Sequence, residues 1–140
     1  MLLYDGTCGF CAASVQFVLR RERQHTLRFA ALESEAGREV RARHSQLAGV
    51  DSMIWVDAPG TAAERVLLRS DAALRVARYL GGPWRLSAIG RLVPRLLRDG
   101  LYDLVARHRH RLISESAQCY LPPPAVRARF LDALSPHNRF

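Results

Sequence analysis

The sequence predicts an α/β fold with the element order β-α-β-α-β-β-α, followed by a helical C-terminal extension. Short β-rich apolar runs alternate with longer stretches of helical periodicity. A helix-length segment separates the first two runs and a tight turn the last two, which predicts one crossover and one hairpin. The chain has 140 residues, 49% hydrophobic and 24% charged, enough for one sizeable core and cramped for two. A single domain over 1–140 is therefore expected, with its core at about 1–83 and the extension at about 84–140.

Leu2-Leu3-Tyr4 is a short apolar run closed by Asp5-Gly6, a turn signal, and predicts a strand. From Cys11 to about Arg23, the apolar Cys11, Val15, Val18 and Leu19 share a helical face. Arg20, Arg21 and Arg23 gather at the end of that helix, where the macrodipole favours cations. Leu27-Arg28-Phe29-Ala30-Ala31 alternates as a strand does, and Glu33 to about Leu47 has helical spacing, weakened by Gly37 and ended by Gly49. Met53 to Val56 is β-rich and turns at Asp57-Ala58-Pro59-Gly60, so Arg65 to Leu68 is expected as its antiparallel partner. Ser70 is the expected N-cap of a helix carrying Ala73, Leu74, Ala77 and Leu80 on one face, stopped by Gly81-Gly82-Pro83.

The resulting β-α-β-α-β-β-α order is thioredoxin-like. In the extension, Trp84 to Arg98 reads as a helical stretch interrupted by Gly90 and Pro94, and Leu101 to about Leu112 as another after a break at Asp99-Gly100. Leu121-Pro122-Pro123-Pro124 is expected to be extended, with a short helix from about Ala125 to Leu134.

Arginines interrupt every apolar stretch within about a dozen positions, short of the roughly 20 residues needed to span a bilayer. The first residues show neither a basic leader nor a long apolar region, so a cytoplasmic location is expected. The net charge is +8, and all 21 basic residues are arginine. Residues 84–140 hold 10 arginines against 4 acids, whereas residues 1–83 hold 11 against 9. Such a basic part suits phosphate, nucleic acid or an anionic membrane surface, although a solvated arginine face explains it equally simply and is the expected reading. It lacks interleaved aromatics and any nucleic-acid-binding motif, so no specific nucleic-acid partner is expected.

Cys8 and Cys11 form a C-x-x-C at the predicted strand-to-helix turn, with Cys119 far away. In a redox dithiol the first thiol must be accessible and must ionise, and a helix N-terminus promotes ionisation through its free N–H groups. A second thiol one turn later can attack a mixed disulfide on the first and release the substrate. Cys8 therefore suits the nucleophile and Cys11 the resolving thiol. Asp5 suits either a proton acceptor for Cys11 or simply the Asp-Gly turn.

The same cysteines allow two other outcomes: a structural zinc site completed by Cys119 and one of His25, His44, His108, His110 or His137, or a pair of inert cysteines. Haem attachment would require a histidine where Ala12 stands. Cys119 is expected in a core, His108 and His110 on a solvated helix end, and Trp55 and Trp84 at core or interface positions.

Tyr4-Asp5-Gly6-Thr7-Cys8-Gly9-Phe10-Cys11 resembles the opening of the DCC family of thiol-disulfide oxidoreductases, named for the Asp, Cys and Cys that are Asp5, Cys8 and Cys11 here. Ser70-Asp71-Ala72-Ala73-Leu74, Leu80-Gly81-Gly82-Pro83-Trp84, Val93-Pro94-Arg95, Arg98-Asp99-Gly100-Leu101-Tyr102 and Cys119-Tyr120-Leu121-Pro122 resemble later segments of that family. The resemblance implies a thioredoxin-like core, a helical extension and a disulfide oxidoreductase role. Thioredoxins and glutaredoxins place a cis-proline opposite the dithiol, but Val50-Asp51-Ser52-Met53 contains no proline, which leaves Ser52 or Met53 to border the cysteines.

Thiol–disulfide exchange through Cys8 and Cys11 is thus the expected activity, with no bound cofactor. Its expected partners are a disulfide-bearing protein or small thiol substrate and a thiol reductant. The competing expectation is a non-catalytic binding protein. It would dock on an acidic partner or membrane surface through Arg91, Arg95 and Arg98, which lie at helical spacing opposite Leu92, Val93, Leu96 and Leu97.

Overall fold

A strand that is apolar at every position has to be covered on both faces. In a computed structural model of the protein, which describes residues 1–112 and 123–131, β1 (Leu2–Tyr4) is buried throughout. It lies inside a four-stranded sheet of order β2-β1-β3-β4. β1 runs parallel to β2 (Phe29–Ala31) with Leu2 opposite Phe29, and antiparallel to β3 (Ile54–Asp57) with Leu3 opposite Ile54. β3 and β4 (Arg65–Leu68) form the expected hairpin, with Ile54 opposite Leu68. The mixed α/β architecture is consistent with the thioredoxin-like expectation.

Two apolar clusters follow from the alternation of side chains along β1. Leu2 and Tyr4 join Val15 and Val18 of α1 (Gly9–Arg21), Phe29, Trp55, and Ala72 and Leu80 of α3 (Arg69–Leu80). Leu3 joins Ala30, Ile54, Val56, Leu47 and Val40 of α2 (Glu35–Arg43).

α2 is shorter than its periodicity suggests and is continued by a 3-10 turn, Ser45–Leu47. Ser34 caps it, accepting a hydrogen bond from the Gly37 N–H (3.1 Å) and donating to the Ala31 carbonyl (2.6 Å). A Cβ on Gly37 would lie 2.3 Å from the Ala31 oxygen, so the glycine that weakens the helix on paper lets it close onto β2. α3 begins at Arg69 with Leu68 at the N-cap, so Ser70 lies inside the first turn. Its hydroxyl donates instead to the Asp99 carboxylate. Gly81 and Gly82, at φ +66° and +57°, end α3 in a backbone conformation that glycine adopts without strain.

The extension departs most from expectation. Gly82–Leu92 winds as a 3-10 helix, and α4 (Arg95–Leu112) runs unbroken through Asp99-Gly100. One glycine inside a helix costs only about 1 kcal/mol, and Asp99 bonds to Ser70 rather than forming a turn. α5 spans only Pro124–Arg127 and does not continue through residues 128–131; the last part of the expected helix, to Leu134, lies outside the described residues. It stops because the next residues add to the outer edge of β2. The Phe29 N–H donates to the Arg129 carbonyl (2.8 Å) and the Leu131 N–H to the Phe29 carbonyl (2.9 Å).

Phe130 is buried there, its ring stacked on Phe29 with centroids 5.0 Å apart. Arg129 donates to both oxygens of the fully buried Glu22 carboxylate (2.6 and 2.8 Å) and to the Leu27 carbonyl. Burial alone would push the Glu22 carboxyl up, but hydrogen bonds from Arg129 and Tyr79 and the charge of Arg129 outweigh it and hold the group below its ordinary value. The C-terminal segment is thereby clasped to α1 and β2. Among the described residues, no helix is long and apolar enough to cross a membrane.

Candidate functional site

The turn after β1 sets the site. Asp5 Oδ1 accepts from the Thr7 N–H (2.9 Å) and the Thr7 hydroxyl (2.7 Å), and the Asp5 carbonyl accepts from the Cys8 N–H (3.3 Å). Cys8 thereby becomes the N-cap residue of α1, with φ −94° and ψ 113°, and its carbonyl accepts from the Ala12 N–H (3.0 Å). No side chain caps this helix end and its first turn holds no acid, so the positive end of the helix dipole falls on the C-x-x-C. Cys11 follows one turn along the inward face.

Both cysteines are more enclosed than a surface dithiol requires: Cys8 is 6% exposed and Cys11 3%. They belong to the same apolar cluster as Tyr4 and Trp55, against which Phe10 and Met53 pack. The accessibility expected of Cys8 is therefore corrected to near-burial, because packing around the motif comes from other elements. Trp55 is held in place from two sides. Its indole N–H donates to Asp57 Oδ1 (2.8 Å), and the Arg75 guanidinium lies 4.8 Å above its ring while pairing with Asp57 (2.9 Å). Burial raises the Asp57 carboxyl, but these hydrogen bonds and the charge of Arg75 bring it below its ordinary value.

A cleft of about 950 Å³ opens between α1, α3 and α4 and reaches the motif. Cys11 and Phe10 form part of its wall with Ser52 and Met53, the segment expected to border the cysteines. Cys8 does not line it. Phe17, Leu97 and Leu101 contribute apolar surface farther along.

The arginine face anticipated on the extension is arranged differently. Arg98 turns inward to Asp71 (3.2 Å), leaving its side chain 16% exposed, and Arg95 pairs with Asp71 (3.4 Å) and Asp99 (3.5 Å). Leu96 and Leu97, expected opposite the arginines, are 88% and 66% exposed. The carboxylates of Asp71 and Asp99 draw the polar stripe of α4 toward α3 and leave the leucines in solvent. The Asp99 carboxyl lies below its ordinary value, chiefly through the hydrogen bond from Ser70.

Other residues singled out in the sequence do not converge on the cysteines. Trp84 stands edge-on to Phe17 at 5.2 Å. His25 lies 3.4 Å from Glu22, His44 bonds Glu64 at 2.8 Å, and His108 Nδ1 donates to the Leu104 carbonyl (2.8 Å). Among the described residues, no three His, Cys, Asp or Glu side chains are grouped to hold a metal ion. Cys119 and His137 lie outside the described residues.

Comparison with known proteins bears on the same motif. The family model for DCC1-like thiol-disulfide oxidoreductases matches residues 2–115. The chain belongs to that family. Over 132 residues it is 33% identical to the uncharacterized protein YuxK of Bacillus subtilis, covering 94% of this chain and 93% of the relative. Over 123 residues it is 31% identical to a chloroplastic DCC family protein of Arabidopsis thaliana, covering 86% of this chain and 69% of the relative. No solved structure matches the chain significantly. Sequence reasoning missed the cleft and the pairing of Asp71 and Ser70 with α4. The spacing of Arg95, Arg98 and Asp99 on one helical face was the available signal for the latter.

Proposed function

We propose that the protein is a thiol–disulfide exchange enzyme whose redox couple is Cys8 and Cys11. The observation that supports it is Cys8 at the uncapped N-terminus of α1 with Cys11 one turn behind, in a chain of the DCC1-like family. The Cys8 thiolate attacks one sulfur of a substrate disulfide, forming a mixed disulfide and expelling the other sulfur as a thiolate that takes up a proton. Cys11 loses its proton and attacks the Cys8 sulfur, which releases the second substrate thiol and leaves a Cys8–Cys11 disulfide. Two electrons have then passed to the substrate, and a thiol reductant returns them to the enzyme. In a cytoplasmic setting, where thiols are kept reduced, the net direction is reduction.

Asp5 holds the turn through Thr7 and, in this scheme, accepts the proton from Cys11. Asp5→Asn keeps an acceptor for Thr7 and removes the base, so the rate of mixed-disulfide resolution should fall while the melting temperature stays close to that of the parent. Cys8→Ser should abolish reduction of an insulin or low-molecular-weight disulfide, and Cys11→Ser should accumulate mixed disulfides detectable by intact mass. Unchanged turnover in Cys8→Ser would refute the assignment.

A further inference from the structure

Protein interiors are packed to nearly crystalline density, and an apolar cavity is filled or collapses unless its walls are held apart. The cleft beside Cys11 has such supports: α4 is held on α3 by the Arg98–Asp71 and Ser70–Asp99 contacts. Its volume of about 950 Å³ lies within the range of small-molecule sites, roughly 300–1,000 Å³. Phe17, Val18, Leu74, Leu97 and Leu101 make most of the wall apolar.

The charges of the wall share one sign. Among the described residues, Arg69 and Arg98 are the charged ones that line it. Asp71 and Asp103, which pair with these arginines at 3.2 and 3.4 Å, are not among the lining residues. The Arg98 Nε–H is buried and has no hydrogen-bond partner among the described residues. A buried donor left unmade is costly, and a rotation of the Arg98 guanidinium onto a ligand carboxylate in the cleft removes that cost.

We propose that this cleft binds an amphipathic organic anion, its alkyl or aryl body against Phe17, Leu97 and Leu101 and its carboxylate or sulfonate on Arg98. It thereby selects disulfides of that chemistry for the dithiol, whose Cys11 lines the cleft. The selection step rests on the exchange activity proposed above; the binding site does not.

Decanoate, with neutral decanol as its matched control, tests the site by titration calorimetry on the full-length protein. Decanoate should bind once per chain and roughly tenfold more tightly than decanol, as a charge-assisted hydrogen bond implies. Arg98→Lys keeps a cation facing Asp71 and removes the Nε–H, so it should erase the preference for decanoate while decanol still binds. Ala73→Phe, at an exposed position on the cleft wall, should weaken both ligands. Circular dichroism checks that each variant is folded.

Absence of saturable decanoate binding would overturn the site, whether or not a second copy of the chain, seen as a doubled mass, covers the cleft. Equal affinity for the two ligands, or decanoate affinity unchanged in Arg98→Lys or Ala73→Phe, would also overturn it.

Cys8→Ser, at a residue that does not line the cleft, should bind decanoate as the parent does. If the parent reduces no disulfide yet binds decanoate, the exchange activity fails and the site stands. If it reduces disulfides but binds no decanoate, the reverse holds. Where both are present, decanoate should inhibit reduction of dithiobis(nitrobenzoate), an aryl disulfide carrying carboxylates, more strongly than reduction of bis(hydroxyethyl) disulfide. Equal inhibition would overturn the selectivity.

Discussion

Helices α1 and α4 both carry an apolar stripe and arginines, yet only α1 buries its stripe. In α1, Val15 and Val18 are 0% and 2% exposed against the sheet. In α4, Leu96 and Leu101 are 88% and 65% exposed, while Arg98 turns inward to Asp71. Periodicity states which side chains share a face. The neighbouring element decides which face is covered. α1 meets Leu2 and Phe29 of the sheet, whereas α4 meets Ser70 and Asp71 at the start of α3.

The arginines make the same contrast. Arg129 is fully engaged, with Glu22 and the Leu27 carbonyl as its partners, while Arg98 keeps one buried donor unused beside the cleft. Arg129→Met should therefore have the largest effect on stability. It strands the buried Glu22 carboxylate and should cost about 3 kcal/mol or more in urea denaturation. A loss under 1 kcal/mol would mean that the clasp contributes little to the folded state.

Core truncation comes next. Val18→Ala should destabilise by about 2 kcal/mol through lost burial and the cavity left behind. Leu96→Ser on α4 should stay within about 0.5 kcal/mol of the parent, as an exposed position does. Equal losses at the two sites would show that the leucine face of α4 is covered in solution.

A smaller effect than the core truncation is set by pH. Glu64 ties β4 to α2 by accepting two hydrogen bonds from Arg43 (3.0 Å each), one from the Gly60 N–H (2.6 Å) and one from His44 (2.8 Å). The Arg43 hydrogen bonds are the main cause of its carboxyl falling to about 2 from the ordinary 4.5. A carboxyl depressed on folding stabilises the fold fully above its unfolded value and progressively less as pH falls toward its folded value. Glu64→Gln should thus cost about 1–2 kcal/mol at neutral pH, and the gap from the parent should shrink between pH 4.5 and 2. Melting curves across that window read the convergence.

Much of the sheet half was legible because its signals are local. The Asp5-Gly6 turn, the β3–β4 turn and the Gly81-Gly82 stop each lie within a few residues of the element they bound. The chain order of the elements and the β3–β4 pairing followed from them, whereas the place of β1 between β2 and β3 did not. The extension was legible only in part, since its arrangement depends on contacts between distant segments. Nothing near Phe130 announces that it pairs beside Phe29, and the polar face of Arg95, Arg98 and Asp99 announces a contact without naming Ser70 as its partner. The site divides likewise. The position of Cys8 at a helix start is local, while its burial is set by the cluster that contains Tyr4 and Trp55.

That burial makes reactivity of the two thiols the decisive property. The direct measurement is equilibration of the purified protein in graded glutathione redox buffers, with thiols trapped by alkylation and located by mass spectrometry. Exchange chemistry predicts a reversible Cys8–Cys11 disulfide with a potential between roughly −120 and −270 mV. Cysteines that remain unoxidised across the whole series, with no mixed glutathione disulfide on Cys8, would contradict it and make the pair structural.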